Sequence, residues 1–526
     1  MKLLTSKKHI PRFVCSSSAF VSASYFICAC TMGVTKHSVL AGVLALITTT
    51  LALDTRQILA GPAACFNITG ALGVEKVAGP LSLDYIESRF EYWNARNSDY
   101  APSCVVYPTS AQDVSIAIQA VRSSGSTFAV RVGGHNPNPF FSCVDKGVLI
   151  DLRRLNAKFY DPATTLATYG PGQTFGEVYE YFQQFGRTVV GARLSGVGTG
   201  LALGGGLSFL STEYGLAADT FRELEIVLPS GQIVTASATQ NPDLFFACKG
   251  GGGNAYGIVT KYTVQSVPSG TFTAGNVIYL FSQAEPIGKA LADFTRYNTD
   301  PKASIIGTYN VLGTPDLGLN LDQMAILFLV YDGENPGDVF KNFTDIPHVI
   351  NTVGPKNYVE VVNSPAPFAA QISRGDNTFR VQAHRIDNDE WKGVIDKWRA
   401  WVLANKSKYL LTSLDWQPIP KTLTDASKAQ GGNAMDMPDG PWMWFNYLLT
   451  TLPGMPQAEY DKIQASFKEL VNSTPRAPGL PLFINDAHKD QLPLQTFSTF
   501  SRLQQIKKKY DPDGFFSSKT GGFSFE

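Results

Sequence analysis

The stretch RVGGHNPNP, residues 131–139, combines residue types that can hold an anion beside a nucleophile. Paired glycines let the backbone approach a ligand closely and turn consecutive amides toward it. Pro137 and Pro139 stiffen the exit of the loop. His135, one of only six histidines in the chain, stands between the glycines and the prolines. The stretch therefore predicts a ligand-binding loop that places an imidazole next to its ligand.

Glycines cluster twice more, in GVGTGLALGGG (196–206) and in KGGGGN (249–254). Three such loops predict an extended, phosphate-bearing cofactor, although any one of them could simply turn a corner between strands. An NAD-type site is disfavoured because the third glycine of G-x-G-x-x-G is missing after Gly200, even though Asp219 lies at a suitable distance. A P-loop is excluded because no glycine-rich loop continues into Gly-Lys-Ser/Thr.

The elements around these loops alternate between strands and helices, which predicts an α/β or α+β domain. Helices are expected after the Ser110-Ala-Gln-Asp113 capping box, at Phe175 and from Asp389. The predicted strands cover 105–106, 128–132, 148–151, 166–169, 188–190, 222–228, 232–236, 277–281, 304–309 and 324–331.

Composition favours an ordinary globular protein that acts on a small molecule. The chain has 526 residues, of which 44% are hydrophobic and 17% charged, enough for two domains. Lys plus Arg and Asp plus Glu both number 44, so no charge excess favours nucleic acid or an anionic membrane as partner. A small-molecule substrate is the expectation.

The first 52 residues predict a targeting segment. From Met32 the chain has Lys36 ahead of the apolar run 39–47 and small residues at 50 and 52, which together form a complete secretory signal. The residues before Met32 leave three interpretations open: a start assigned too early, one long signal, or a membrane anchor. The anchor is disfavoured because serines dilute the apolar run before Cys30.

Cysteines and sequons fit a secretory compartment. Three of the seven cysteines fall in the leader, which leaves an even number in the mature chain, at 65, 104, 143 and 248. Glycosylation is expected at Asn67, Asn342, Asn405 and Asn472. We therefore expect a secreted or lumenal protein, with no stable membrane insertion after the signal is removed.

Six segments together carry a family resemblance: FAVRVGGHNP (128–137), VLIDLRRLN (148–156), the 196–206 loop, NPDLFFACKGGGGNAYGIVT from Asn241, and the C-terminal FINDAHKDQ and YDPDGFF. In this order they resemble the berberine-bridge-enzyme-like branch of the FAD-linked oxidases, in the form common among fungal members. The resemblance implies an α+β fold with a two-part FAD-binding domain of the PCMH type and a substrate domain whose antiparallel sheet is covered by helices. The implied parts are a leader (1–52), an FAD-binding domain (98–268), a substrate domain (269–470) and a C-terminal segment that completes the FAD domain (471–526).

The resemblance also implies FAD as the cofactor and gives His135 a role. In this family the matching histidine bonds covalently to the 8α-methyl group of the flavin, although His135 could instead only hydrogen-bond a phosphate. Many relatives add a cysteine bonded to C6, where this chain has Arg193, so a single covalent bond is expected. The other cofactor-binding residues implied are Gly133, Gly134, Asn136, Ser195, Gly196, Gly200, Leu201, Gly257, Ile258 and Asn485.

Two further assignments follow from the resemblance. Relatives commonly pair cysteines at the positions of Cys65 and Cys104, so a disulfide is expected there. Where some relatives have Tyr-x-Asn-Tyr, with a phenol that takes the substrate proton, this chain has Phe483-x-Asn485-Asp486. The candidate proton acceptors are then Asp486, His488 and Tyr447, each of which could equally be structural. No metal is expected.

The expected function is an FAD-linked oxidoreductase that oxidises a small organic molecule in natural-product biosynthesis, with molecular oxygen as electron acceptor. A carbohydrate or oligosaccharide oxidase is the alternative, and the missing tyrosine weighs against it. A third hypothesis is a cyclase that uses the flavin as a scaffold, or a flavoprotein without turnover. Release of peroxide separates the oxidases from this third class.

We predict that the mature chain begins near Leu53, because the signal from Met32 is complete by itself. N-terminal sequencing of secreted protein checks this. Material that retains residues from before Met32 would contradict it.

Overall fold

A computed structural model describes residues 59–313, 323–365, 375–387 and 389–526. These ranges belong to one compact unit that spans residues 56–526. The expected leader lies outside the described residues. Within the described ranges, no helix has both the length and the apolar character needed to cross a bilayer.

Over the described ranges the fold mixes helices with three large sheets and one sheet of only two strands, which confirms the α+β class. The helices are 59–72, Leu83–Phe90, Ala111–Ser124, Phe175–Gln183, Ser211–Tyr214, Pro242–Cys248, Ala284–Tyr297, Lys341–Thr344, Tyr358–Asn363, Glu390–Ala404, Lys421–Ala429, Gln457–Asn472, Phe500–Tyr510 and Phe515–Lys519. The strands are β1 (Val77–Ala78), β2 (Cys104–Val106), β3 (Phe128–Arg131), β4 (Val148–Asp151), β5 (Lys158–Asp161), β6 (Leu166–Tyr169), β7 (Arg187–Thr188), β8 (Phe221–Val227), β9 (Ile233–Ser237), β10 (Ile258–Gln265), β11 (Val267–Pro268), β12 (Phe272–Leu280), β13 (Ala303–Leu312), β14 (Gln323–Tyr331), β15 (Ile350–Asn351), β16 (Gly354–Lys356), β17 (Asp376–Arg385), β18 (Leu411–Ile419) and β19 (Trp442–Thr451).

The first sheet has the order β1-β2-β4-β3, and β4 runs parallel to both of its neighbours. The helix Ala111–Ser124 covers it and begins where the capping box predicts. Ser110 accepts a hydrogen bond from the amide of Asp113 at 3.2 Å. The Asp113 carboxylate, however, binds Thr109 and Lys76 at 2.8 Å each, so only half of the predicted box forms.

The second sheet, β5-β6-β10-β8-β9, is antiparallel throughout. Its β8–β9 hairpin confirms the strands predicted on either side of Pro229-Ser-Gly231. Where the sequence predicts a strand over 188–190, the structure has the shorter β7. Only Arg187 and Thr188 pair, with the two residues of β11.

The third sheet is the largest, with the order β15-β12-β14-β13-β18-β19-β17 and β16 paired to β12. Its antiparallel strands place alternate side chains on opposite faces. One face packs in a hydrophobic core with the helices Ala284–Tyr297, Glu390–Ala404 and Gln457–Asn472. The sequence patterns predicted β12, β13, β14 and the helix from residue 389, but not β17, β18 or β19.

The C-terminal segment returns to the first sheet. Phe515 and Phe516 lie 5.6 and 5.3 Å from Phe128 between ring centroids. The Lys507 amine donates to the Ala255 carbonyl at 2.6 Å. These contacts agree with a segment that completes the cofactor domain, and the exact domain boundaries stay predictions.

A disulfide joins Cys65, in the first described helix, to Cys104 at the start of β2. It closes a sequence separation of 39 residues, for which the loop-entropy model gives a stabilisation of about 4 kcal/mol. Cys143 and Cys248 are free and buried. The bridge therefore ties the N-terminal helix to the first sheet.

Candidate active site

A cavity of about 440 Å³ lies between the glycine-rich loops and the third sheet. Its volume is typical of sites for small molecules and cofactors. All three glycine-rich loops contribute to its lining, together with residues from β13, β14, β18 and β19 and the C-terminal 483–486 turn. Among the described residues, no group of His, Cys, Asp and Glu side chains is arranged to hold a metal ion.

A buried ion pair fixes the start of the first glycine-rich loop. Arg131, the last residue of β3, binds Asp151 at the end of the neighbouring β4, and their side chains are 1% and 0% exposed. Ser88 donates to the same carboxylate at 3.1 Å. Burial by itself would raise the pKa of Asp151, but Arg131 and Arg153 outweigh it and hold that pKa below its usual range. The first glycine-rich loop therefore begins at an end of β3 that is held firmly to β4.

The first and second glycine-rich loops touch through their backbones. A methyl group on Gly133 would lie 2.7 Å from the amide nitrogen of Gly198, and one on Gly198 would lie 2.5 Å from that of Gly133. Gly134 has a φ of 63°, in the left-handed region. Within the described part of the chain, the amides of Gly133, Gly134 and His135 donate to no protein acceptor. These three residues line the cavity, so their amides are free donors suited to a diphosphate.

His135 lines the cavity and stacks on Trp93, with ring centroids 4.5 Å apart and planes inclined by 14°. Trp93 in turn contacts Phe379 of β17 at 5.3 Å. Burial lowers the pKa of His135 to about 4, so its imidazole is neutral at physiological pH. A neutral, oriented imidazole is the form that can act as a nucleophile.

Arg193 lines the same cavity beside the second loop. Its guanidinium donates to the side-chain oxygen of Gln417 at 2.6 Å, and the Gln417 amide donates to Asp486 at 2.6 Å. Burial lowers the pKa of Arg193, opposed by Asp486 and Asp415. Burial also raises the pKa of Asp486. These hydrogen bonds form a polar chain, Arg193–Gln417–Asp486, which connects the loops to the third sheet.

The comparisons with known proteins agree on one family. The signature of an FAD binding domain matches residues 102–237, and that of the berberine and berberine-like family matches residues 497–521. An FAD-linked oxidoreductase of Arthroderma benhamiae is 35% identical over 485 residues, which cover 86% of this chain and 93% of that protein. The chain belongs to the berberine-bridge-enzyme-like FAD-linked oxidoreductases.

Two further relatives extend the comparison. A bifunctional solanapyrone synthase of Alternaria solani is 31% identical over 437 residues, 80% of this chain and 81% of that protein. The glucooligosaccharide oxidase of Acremonium strictum, which carries a 6-S-cysteinyl, 8α-N1-histidyl FAD, superposes with a TM-score of 0.71. At 20% identity over 88% of this chain and 98% of that one, it shows a shared fold.

The cofactor of this berberine-bridge-enzyme-like protein is FAD. The free amides of the first glycine-rich loop and the two touching loops fit its diphosphate. Most of the predicted cofactor residues line the cavity, namely Gly133, Gly134, His135, Asn136, Gly200, Leu201, Gly257, Ile258 and Asn485. Ser195 and Gly196 lie outside that lining.

Two side-chain amides hold the cofactor loops together. Asn485 donates to the carbonyls of Leu201 and Gly204 at 3.0 and 3.1 Å. Asn254 donates to those of Phe141 and Gly521 at 2.7 and 3.0 Å. Asn254 itself adopts the left-handed region, at φ 58°.

Of the three candidate proton acceptors, only Asp486 lines the cavity. Tyr447 is fully buried on the opposite face of the third sheet, where its hydroxyl lies 2.7 Å from that of Thr474. His488 lies 2.8 Å from Asp490 and 3.3 Å from Arg380, in an ion-pair cluster outside the lining. The structure therefore separates these two side chains from the cavity.

Sequence reasoning missed Asp415, Gln417 and Asn446, which line the cavity from β18 and β19. The available signal was the segment SLDWQP (413–418), in which polar and apolar residues alternate as they do along a strand. Trp93, from a loop that carries no motif, was also missed and gives no sequence signal.

We predict that Gly133→Ala forces the two glycine-rich loops apart, because the added methyl group would overlap the backbone of Gly198. The expected cost is about 1 to 3 kcal/mol of stability, as for other overpacked sites, with reduced FAD retention. Thermal unfolding and the ratio of flavin to protein absorbance measure both. Gly354→Ala is the control, since a methyl group there meets nothing within 4 Å and Gly354 lies outside the cavity lining. Equal FAD retention in both variants would contradict the prediction.

Proposed function

We propose that this oxidoreductase oxidises a small, largely apolar organic molecule in natural-product biosynthesis and passes the electrons to molecular oxygen. The observation that carries the proposal is the cavity itself, which joins the His135 loop to a sheet face that bears the carboxyl group of Asp415. The relationship to a solanapyrone synthase supports a biosynthetic role.

The cofactor is proposed to be attached through His135. Support comes from the position of His135 directly after the free amides, from its neutral imidazole and from the Trp93 ring that orients it. Arg193 occupies the position at which many relatives have a second anchoring cysteine. A single covalent link is therefore proposed.

Each part of the cavity has a separate task in this proposal. FAD supplies the hydride-accepting chemistry. The glycine amides bind its diphosphate, and Trp93 holds the imidazole of His135 in place. Apolar side chains from β13 and β14 bind the substrate and exclude water. Asp486, hydrogen-bonded to Gln417, can hold a proton at its carboxylate near the loops.

Secretion is proposed as well, on the predicted signal and the disulfide between Cys65 and Cys104. Three of the expected glycosylation sites, at 67, 342 and 472, are exposed, and Asn405 is partly exposed. A shift in mobility after deglycosylation of the secreted protein tests this compartment.

We predict that denatured wild-type protein stays yellow and that a tryptic peptide containing His135 carries the added mass of FAD. In His135→Ala the flavin should pass to the supernatant while the fold survives, because the glycine loops still offer their amides. Spectra of precipitate and supernatant, with peptide mass spectrometry, measure both results.

His348→Ala is the matched control, because this exposed histidine lies far from any glycine loop in sequence and should leave the link intact. Arg193→Cys tests the position at which many relatives have a second anchoring cysteine. A further flavin link is expected there if the loop geometry matches that of relatives with two bonds. A colourless precipitate from flavin-loaded wild type, or a flavin mass on a cysteine peptide of wild type, would refute the assignment.

An anaerobic reduction screen tests the function. We predict that apolar alcohols bleach the flavin absorbance faster than oligosaccharides do, and that air then restores it with release of peroxide. Faster bleaching by oligosaccharides would favour the carbohydrate oxidase instead. Conversion of a substrate without bleaching or peroxide would identify a flavin-scaffolded cyclase and contradict the proposal.

A further inference from the structure

One row of polar side chains crosses the third sheet and faces the cavity. Thr308 of β13, Asp415 of β18 and Asn446 of β19 are direct cross-strand partners, and all three line the cavity. Thr308 donates to one carboxylate oxygen of Asp415 at 2.5 Å, and the Asn446 amide donates to the other at 3.3 Å. Neighbouring strands thus fix the orientation of this carboxyl group.

Asp415 has no ion-pair partner among the described residues. The charged side chains that act on the pKa of Asp415 are Asp486 and Arg193. The Arg193 guanidinium is bound to Gln417. Burial raises the pKa of Asp415 to about 6, with Thr308, Ser413 and Arg193 acting in the opposite direction and Asp486 in the same one. The group can therefore exchange a proton near neutral pH.

Asn446 provides an independent sign of a ligand. It is 6% exposed and lines the cavity, and its side-chain oxygen has no hydrogen-bond donor in the described part of the chain. A buried acceptor without a donor is costly, so such atoms commonly have a partner that the protein itself does not provide. A hydroxyl bound beside Asn446 would supply that donor next to the Asp415 carboxylate.

The surroundings of this row are mostly apolar. Six polar residues form the strip at the centre of the sheet face: Thr308, Asn310, Ser413, Asp415, Gln417 and Asn446. Apolar side chains flank it on the same face: Ile306, Leu312, Met324, Ile326, Phe328, Leu411 and Leu448. A ligand that matches this face has an apolar body and few polar groups.

We propose that Asp415 is a catalytic residue that takes the hydroxyl proton of an apolar alcohol as this alcohol is oxidised to a carbonyl compound. The inference rests on the proposed function, because FAD accepts the hydride. The O–H and C–H bonds break and the C=O bond forms, while the proton goes to the Asp415 carboxylate and the hydride, with its two electrons, goes to FAD.

Asp486 and Arg193 have a different part in this arrangement. Asp486 follows Asn485, which holds the carbonyls of the second glycine-rich loop, and its carboxylate is bound by Gln417. Its carboxylate binds Gln417 at the loop side of the polar chain, whereas that of Asp415 lies in the polar strip of the sheet and binds Thr308 and Asn446. Asp486 is therefore a positioning residue for Gln417 and Arg193.

The test compares wild type with Asp415→Asn, Asp486→Asn and Asp376→Asn, using the alcohol that reduces wild type fastest in the anaerobic screen. Asp376→Asn is the matched control, a buried carboxyl group on β17 that lies outside the cavity lining. Stopped-flow absorbance gives the rate constant of flavin reduction between pH 5 and 8.

The carboxylate form of Asp415 is required, so the wild-type rate should rise with pH through about 6 and then level off. Asp415→Asn should lose about 100-fold or more in this rate at pH 7.5, the range for removal of a general base, and its rate should no longer depend on pH in this window. Asp376→Asn should keep the wild-type profile.

A binding measurement separates catalysis from folding. The matching tertiary alcohol has the hydroxyl group but no hydrogen on the same carbon, so it can bind without reaction. Its dissociation constant for wild type, read from the flavin spectrum, should fall as pH rises from 5 to 7.5. For Asp415→Asn the dissociation constant should stay constant over this range, while dithionite reduction and reoxidation by air stay normal.

Each contrary result has its own meaning. A wild-type rate and pH profile in Asp415→Asn would overturn the inference and leave the proposed function standing. Loss of the profile in Asp486→Asn but not in Asp415→Asn would move the proton acceptor to Asp486 and also overturn it. If no compound of the panel reduces wild type, the proposed function fails, and the inference fails with it.

Discussion

The site depends on the contact between two backbones, at Gly133 and Gly198. No side chain fits at either position, because a methyl group would lie within 3 Å of the opposite backbone. The contact brings the loop that follows β3 against the loop that precedes Gly200, so His135 and Arg193 line the same cavity. The need for close backbone approach explains why glycines, and not merely flexible residues, occupy these two positions.

Long-range polar contacts keep these loops in place. The buried Arg131–Asp151 ion pair joins the ends of two parallel strands directly before the His135 loop. Asn485, distant in sequence, binds the carbonyls of Leu201 and Gly204. Since buried charges and amides are costly without partners, loss of either contact would leave an unpaired group as well as a loose loop.

The third sheet decides which side chains can reach a substrate. Its strands alternate faces, so Asn446 lines the cavity whereas its neighbour Tyr447 is buried in the opposite core. The same alternation along β18 directs Ser413, Asp415 and Gln417 into the cavity. A tyrosine that looks chemically suitable in the sequence is thus separated from the cavity by the thickness of the sheet.

The sequence by itself determined the three glycine-rich loops and a phosphate-bearing cofactor, because these depend on local residue order. FAD, the family and His135 as the candidate link came from the resemblance that the ordered motifs carry. The Cys65–Cys104 pair came from the resemblance, and the structure contains it. Only the tertiary structure decided that Trp93 stacks on His135 and that Asp415 and Asp486 share one cavity. These residues belong to segments far apart in the chain, which strand pairing and loop packing bring together. Alternation along β18 marks a strand, but no local pattern states which strands and loops meet.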